Sequence, residues 1–232
     1  MKVKLCYASI LMMVFSSFLI GQNLVPNPSF ENLDSDQITD LLADTSTFNQ
    51  QLDHWFSPSN CTPDIVTPLY SPNYFHPNLS YGMLQPFDGN VCTAILAFPQ
   101  ICPEFIGIRL LEPLEINASY KVSFYLGVPK KTRGKKNTSE EIGESFGILF
   151  SEENLRWSKK KMPISKPTLG CKGMTTVVDN WKEISFIHQA DRPYQYLYIG
   201  NFSRQWDLNT KYFFIDLVRV EKITLPSENR KR

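Results

Sequence analysis

The acid whose setting says most about chemistry is Asp216, which lies among apolar and aromatic residues from Tyr212 to Val220. At the period of a strand, Tyr212, Phe214, Val218 and Val220 share its face, and Arg219 and Glu221 take the other. The pattern predicts that Asp216 points toward the core. A carboxylate placed there needs a cation or several donors to offset its desolvation. A hard cation with oxygen ligands, typically calcium outside the cell, meets that need. Backbone or hydroxyl donors at a strand end also meet it, and periodicity alone favours them.

Aromatic residues make up 13% of the chain, enough for both a core and surfaces on which sugars could stack. Trp157 (in LRWSKK) and Trp206 (in SRQWDLN) sit in polar surroundings and are read as exposed ligand-binding platforms. Trp55 and Trp181 open strands and are assigned to the core. His54, His76 and His188 are dispersed. His188 follows the alternating face of Ile184 and Phe186, as a satisfied, half-buried residue would.

No H-E-x-x-H helix, phosphate-binding loop or dinucleotide fingerprint is present, and no serine nucleophile elbow is expected. A small glycan-acting hydrolase would instead need two acids brought together from distant positions, and no sequence feature singles out such a pair. Lys130–Lys136 (KKTRGKK) and Arg156–Lys161 (RWSKKK) are basic stretches that would suit an acidic glycan or a phosphate-bearing envelope polymer. Solvated loops are the simpler reading, the first balanced by Glu140, Glu141 and Glu144.

These side chains must be positioned mainly by strands. Tyr120–Val128 alternates Val122, Phe124 and Leu126 with Lys121, Ser123 and Tyr125. Phe146, Ile148 and Phe150 repeat the pattern, as do Ile184 and Phe186 after Trp181. Phe105–Leu114 is a further apolar run, and Tyr194–Phe202 and Tyr212–Ile223 are aromatic-rich strands that close the fold. An edge strand is predicted from Asn23 to Glu31. One short helix is predicted within 34–53, where Ile38, Leu41 and Leu42 keep helical spacing. The stretch from Trp55 to Pro86, rich in Pro, Asn and Ser, reads as long loops over the end of a sandwich. An all-β sandwich follows.

Lys2, Lys4, the apolar Ile10–Ile20 and small Gly21 have the layout of a secretory signal over residues 1–22. A single domain over 23–225 and a frayed tail over 226–232 are expected after it. The whole chain carries a formal charge of +1, and loss of Lys2 and Lys4 takes it to −1 (+1 − 2). This balance offers nothing to nucleic acid or an anionic membrane. No later segment is apolar for long enough to span a bilayer. Cys61, Cys92, Cys102 and Cys171 remain after cleavage, an even set in an oxidising compartment. Disulfides are expected ahead of a metal site, because no C-x-x-C pair occurs. Cys102 is matched with Cys61 or Cys92, since all three fall in one turn-rich region.

Several segments taken in order carry a resemblance. They are Asn23–Asn32 (NLVPNPSFEN), Trp55 with Pro58 and Thr62-Pro63-Asp64, Gly82–Gln85 with Asp88-Gly89, and Glu104–Leu110. Tyr120–Tyr125, Phe146–Ser151, Tyr196–Phe202 and Phe214–Val218 complete the set. The pattern resembles galactose-binding-like jelly rolls of exported Gram-negative bacterial proteins, which often precede an outer-membrane-protein-A-like peptidoglycan-binding domain. It is similar to carbohydrate-binding modules as well. The resemblance spans the mature chain and implies a jelly-roll β-sandwich. It also implies a structural calcium ion held by Glu31 of the opening strand and Asp216 of the last. No part of that second domain is expected within residues 23–225, and the loops at Lys130–Lys136 and Arg156–Gly170 are longer than the pattern. The resulting expectation is a secreted, periplasmic or cell-surface binding module without enzymatic activity. Its partner would be a glycan, or alternatively a cell-envelope protein in an adhesion role.

Overall fold

The computed structural model describes residues 21–33, 45–59, 61–67, 82, 84–97, 104–130, 138–157, 166–202 and 211–224. The signal segment up to residue 20, the proposed tail, Ile38, Leu41, Leu42 and Trp206 lie outside the described residues, as do 131–136 of the first basic stretch and 158–165 of the loop after Trp157.

Among the described residues, ten strands form two five-stranded antiparallel sheets, accompanied by one short helix. The helix α1 is Thr45–Gln51. The strands are β1 (Trp55–Phe56), β2 (Asp64–Val66), β3 (Cys92–Ala97), β4 (Phe105–Arg109), β5 (Ser119–Gly127), β6 (Ser139–Ser151), β7 (Leu169–Val177), β8 (Trp181–Gln189), β9 (Tyr196–Asn201) and β10 (Lys211–Ile223). One sheet runs β1-β4-β9-β6-β7 and the other β2-β3-β10-β5-β8. The chain changes sheet at most connections, the wrapping of a jelly-roll β-sandwich.

Alternation fixes which side chains meet between the sheets. Ile106, Ile108, Phe146, Ile148, Phe150, Leu197 and Ile199 from one sheet face Val122, Phe124, Leu126, Ile184, Phe213 and Ile215 from the other. All are buried, and a chain of this size buries enough apolar surface there to hold the sheets face to face.

Each sheet also carries an apolar cluster on its outer face, roofed by a loop. Phe105, Leu149, Tyr198 and Phe202 lie under Leu155 and Trp157. Val66, Cys92, Ala94, Tyr212 and Phe214 lie under Leu84, with Trp181 at the side. This double roofing is why so many aromatic residues are buried in a two-layer fold.

Three expectations change. The opening segment is not a nine-residue strand but a single bridge, Asn23 with Glu221, followed by turns. Asn27 and Phe30 take φ of 47° and 62°, a left-handed conformation outside the range of a regular strand. β7, Leu169–Val177, begins at the end of the long loop expected to Gly170 and was not among the predicted strands. Cys92 and Cys171 are buried free thiols, so Cys92 is not bonded to Cys102. Cys61 is disulfide-bonded, and its partner lies outside the described residues.

Candidate functional site

The site is built around β10. Its first half alternates as expected, with Phe213 and Ile215 in the intersheet core and Tyr212 and Phe214 on the outer face. Between Asp216 and Arg219 the pairing with β5 shifts register, and Leu217 takes φ 47°. This bulge reverses the phase, so Val218 and Val220 return to the intersheet core. Asp216 therefore keeps company with Tyr212 and Phe214 on the outer face, not with Val218 and Val220. It is still fully buried, at 0% exposure, because the loop from Leu84 to Val91 crosses above it.

That loop is held at every turn. Oδ2 of Asp216 accepts the backbone N–H of Phe87 at 2.8 Å and of Asp88 at 3.0 Å, and Oδ1 accepts that of Leu217 at 2.7 Å. Glu31 reaches in from the opening segment, and its Oε1 accepts the N–H groups of Asn90 at 2.8 Å and Val91 at 2.7 Å. Ser29 donates its hydroxyl to Asp88 at 2.6 Å. The indole N–H of Trp181 donates to the carbonyl of Gln85 at 2.8 Å. Gly89, at φ 70°, lies against the Glu31 carboxylate, and a Cβ there would sit 2.4 Å from Oε1.

Burial pushes the Asp216 carboxyl up to about 7, and the charge of Asp88 adds to the rise; the three N–H donors oppose both. Glu31 and Asp216 are the two residues that the resemblance puts at a shared calcium ion. They converge on one five-residue stretch, Phe87–Val91.

The tethered loop presents an aromatic cluster. Phe87 is 42% exposed and lies flat on Tyr125 of β5, with ring centroids 3.5 Å apart and planes within 14°. Trp181, at the start of β8, meets Phe87 edge-on at 6.2 Å. Tyr125 and Trp181 are half-buried. The rim is polar, with Asp88, Asn90 and Glu183 exposed, and Glu183 paired with Lys121 at 2.9 Å. Trp181 was assigned to the core, and Phe87 was passed over because it sits in a turn-rich segment. The Pro86-Phe87-Asp88-Gly89 string, an aromatic inside a turn, was the available signal.

Trp157 is corrected from an exposed platform to a roofing residue. It is 7% exposed and packs edge-on to Phe105 at 5.0 Å and beside Tyr198 at 5.7 Å. The chain puts Arg156 outward instead, over the Phe56 ring. The indole N–H of Trp157 has no hydrogen-bond partner. His188 is buried and stacks on Phe150 at 5.0 Å, but its Nε2 lacks a partner as well.

Two further features bear on catalysis. The string Gly143-Glu144-Ser145-Phe146-Gly147 has the spacing of a serine nucleophile elbow. It runs inside β6, paired with β7 and β9, whereas the elbow requires a sharp strand-to-helix turn. Asp64 and Glu104 are two buried acids close enough for the charge of one to act on the other. Burial raises both, Asp64 to about 7, and the Asp64 charge raises Glu104 further. Their oxygens are engaged within the protein: Asp64 accepts from the Tyr212 hydroxyl, and Glu104 accepts the N–H of Leu96 at 2.5 Å. Among the described residues, no helix is long and apolar enough to cross a membrane.

No family model matches the chain, and no curated protein matches it. Solved structures resemble its course. The CBM22-1 xylan-binding domain of Xyn10C from Paenibacillus barcinonensis has 8% identity and a TM-score of 0.41, covering 80% of this chain and 92% of that one. A CBM4 structure has 13% identity and a TM-score of 0.38, covering 85% and 99%. The K3 cleaved adhesin domain of Lys-gingipain from Porphyromonas gingivalis w83 has 9% identity and a TM-score of 0.37, covering 88% and 99%.

Proposed function

We propose that this chain is a non-enzymatic binding module of an exported protein, and that its ligand is a glycan stacked on the Phe87–Tyr125–Trp181 cluster. The observation that carries the reading is the exposure of Phe87 on a loop tied down by both ends of the domain. An unanchored apolar residue at a loop tip would fold away or move. Here the backbone is held, so the ring stays presented at little entropic cost on binding. The apolar face of a sugar ring carries C–H groups, which match the electron-rich face of an aromatic ring. Its hydroxyls then find partners on the polar rim of Asp88, Asn90 and Glu183.

Affinity electrophoresis of the full chain through gels containing neutral or acidic soluble polysaccharides tests this. Retardation by at least one of them is expected, with loss in Phe87→Ala and Tyr125→Ala proteins whose melting temperatures stay near the parent's. Equal retardation of parent and Phe87→Ala would overturn the site. Indifference to every polysaccharide, with retention on cell envelopes that depends on Phe87, would move the partner to an envelope protein.

A further inference from the structure

The family resemblance implies a calcium ion between Glu31 and Asp216, and the donor geometry does not fit one. A hard cation requires oxygen lone pairs directed at a common point. Here three of the four acidic oxygens are directed at N–H groups: two on Oδ2 and one on Oδ1 of Asp216, and two on Oε1 of Glu31. The positive ends of five N–H dipoles would therefore face an incoming cation. Among the described residues, no group of three or more His, Cys, Asp or Glu side chains is placed to hold a metal.

We infer that Glu31 and Asp216 are positioning residues that clamp the Phe87–Val91 loop through its backbone N–H groups without a metal ion, and so hold Phe87 on Tyr125 for ligand. The binding part of this inference rests on the glycan reading above; the clamp itself does not.

The two acids divide the work. Asp216 holds the amides of Phe87 and Asp88, and Glu31 holds those of Asn90 and Val91. Gly89 lies between the two grips at φ 70°, bare of the Cβ that would displace Glu31. A carboxylate satisfying several N–H donors is an anion nest in miniature, and its charge makes each bond stronger than a neutral one. The two acids are far apart in sequence, Glu31 in the opening segment and Asp216 on β10. The loop is thus registered against the sheet without a crosslink or an ion.

Amide hydrogen exchange on the full chain tests the clamp without any ligand. The amides of Phe87, Asp88 and Val91 should be protected equally in calcium and in chelator, and melting temperatures should coincide. Protection or a melting temperature that rises with calcium would overturn the metal-free clamp, since an ion binding only the folded state must stabilise it. Glu31→Ala removes an exposed side chain and leaves the core intact. It should speed exchange at Val91 about tenfold while leaving Phe87 less affected. Unchanged exchange at Val91 would sink the role of Glu31.

Where a polysaccharide retards the parent protein, Glu31→Ala should weaken that retardation several-fold and Glu31→Gln, which keeps an acceptor oxygen, should restore part of it. A polysaccharide that binds parent and Glu31→Ala equally would deny the positioning role and leave the stacking surface standing. Absence of all glycan binding would sink the reading above and leave the exchange result to judge the clamp.

Discussion

The backbone N–H of Phe87 donates to Oδ2 of Asp216 at 2.8 Å, which ties the exposed ring of the aromatic cluster to a carboxylate with no exposure at all. The pairing explains why Asp216 is buried on the outer face of a sheet. The loop that covers it is the loop it holds, so burial and tether arise together. Loss of the tether would expose an unpaired carboxylate and release Phe87 in one event.

Gly89→Ala gives the sharpest steric test. The new Cβ would need φ 70° and would approach Glu31 Oε1 to 2.4 Å. Left-handed backbone at a non-glycine costs about 1–2 kcal/mol, and the clash adds to it. Urea unfolding should show a loss of about 1–3 kcal/mol. The Gly89→Ala, Glu31→Ala double variant should lose less than the sum of the singles, because the clash is gone while the backbone strain stays. Strict additivity would mean that Glu31 does not meet residue 89 in solution.

Trp157 separates a roofing role from a ligand platform. Removing a ring that is 93% buried against Phe105 and Tyr198 should cost about 3–5 kcal/mol in Trp157→Ala, read by chemical denaturation. Trp157→Phe should hold stability within about 1–2 kcal/mol, since it also removes the unpartnered indole N–H. Neither change should alter ligand affinity of the folded protein. A stable Trp157→Ala protein that has lost binding would reverse the assignment.

Much of the fold was legible because most strands follow period two. Val122, Phe124 and Leu126 occupy the core as their spacing predicts. The site was less legible for two physical reasons. Alternation assigns a face only while pairing register holds, and the bulge at Asp216–Arg219 broke it within one strand. Burial of Asp216 was read correctly, and the face it is buried on was not. Composition around a residue also says little once a loop folds back on a sheet. Trp157 stands next to Arg156 and Ser158 in sequence, yet its ring joins an outer-face cluster assembled from β4, β6 and β9. Phe87 shows the converse. Its exposure depends on hydrogen bonds to acids at both ends of the chain, which no local window contains.

The cysteines make a covalent prediction. Cys61 is disulfide-bonded, whereas Cys92 and Cys171 are free and buried. Of the two remaining cysteines, Cys6 falls in the segment expected to be removed on export, which leaves Cys102. Peptide mapping of the exported, unreduced protein should recover Cys61 linked to Cys102. Alkylation should label Cys92 and Cys171 only after unfolding, because burial raises both thiols and keeps them protonated. Rapid labelling of either in the native protein would contradict their burial, and a Cys61 peptide linked elsewhere would overturn the predicted pairing.

The pH profile should carry opposing contributions that substitution can separate. Asp216 is raised in the folded protein to about 7, above its unfolded value, so the native state holds the proton more tightly. Its contribution is fully present at pH below the unfolded carboxyl range and declines as pH rises through about 7. The slope cannot exceed about 1.4 kcal/mol per pH unit for one proton. Asp64 acts in the same direction, also reaching about 7. His188 acts the other way: burial lowers its pKa, so stability falls as pH drops below the ordinary imidazole value and the unfolded chain takes up the proton first. Stability should therefore decline from the unfolded carboxyl range toward about pH 7, with His188 offsetting part of that decline below the ordinary imidazole value. Asp216→Asn should flatten part of the high-pH decline and leave the share due to Asp64. His188→Phe should remove low-pH sensitivity and match or exceed the parent's stability near neutrality, because it removes a buried Nε2 without a partner from a stack on Phe150. A high-pH decline of unchanged slope in Asp216→Asn would show that the three N–H donors on Asp216, rather than burial, set its ionisation.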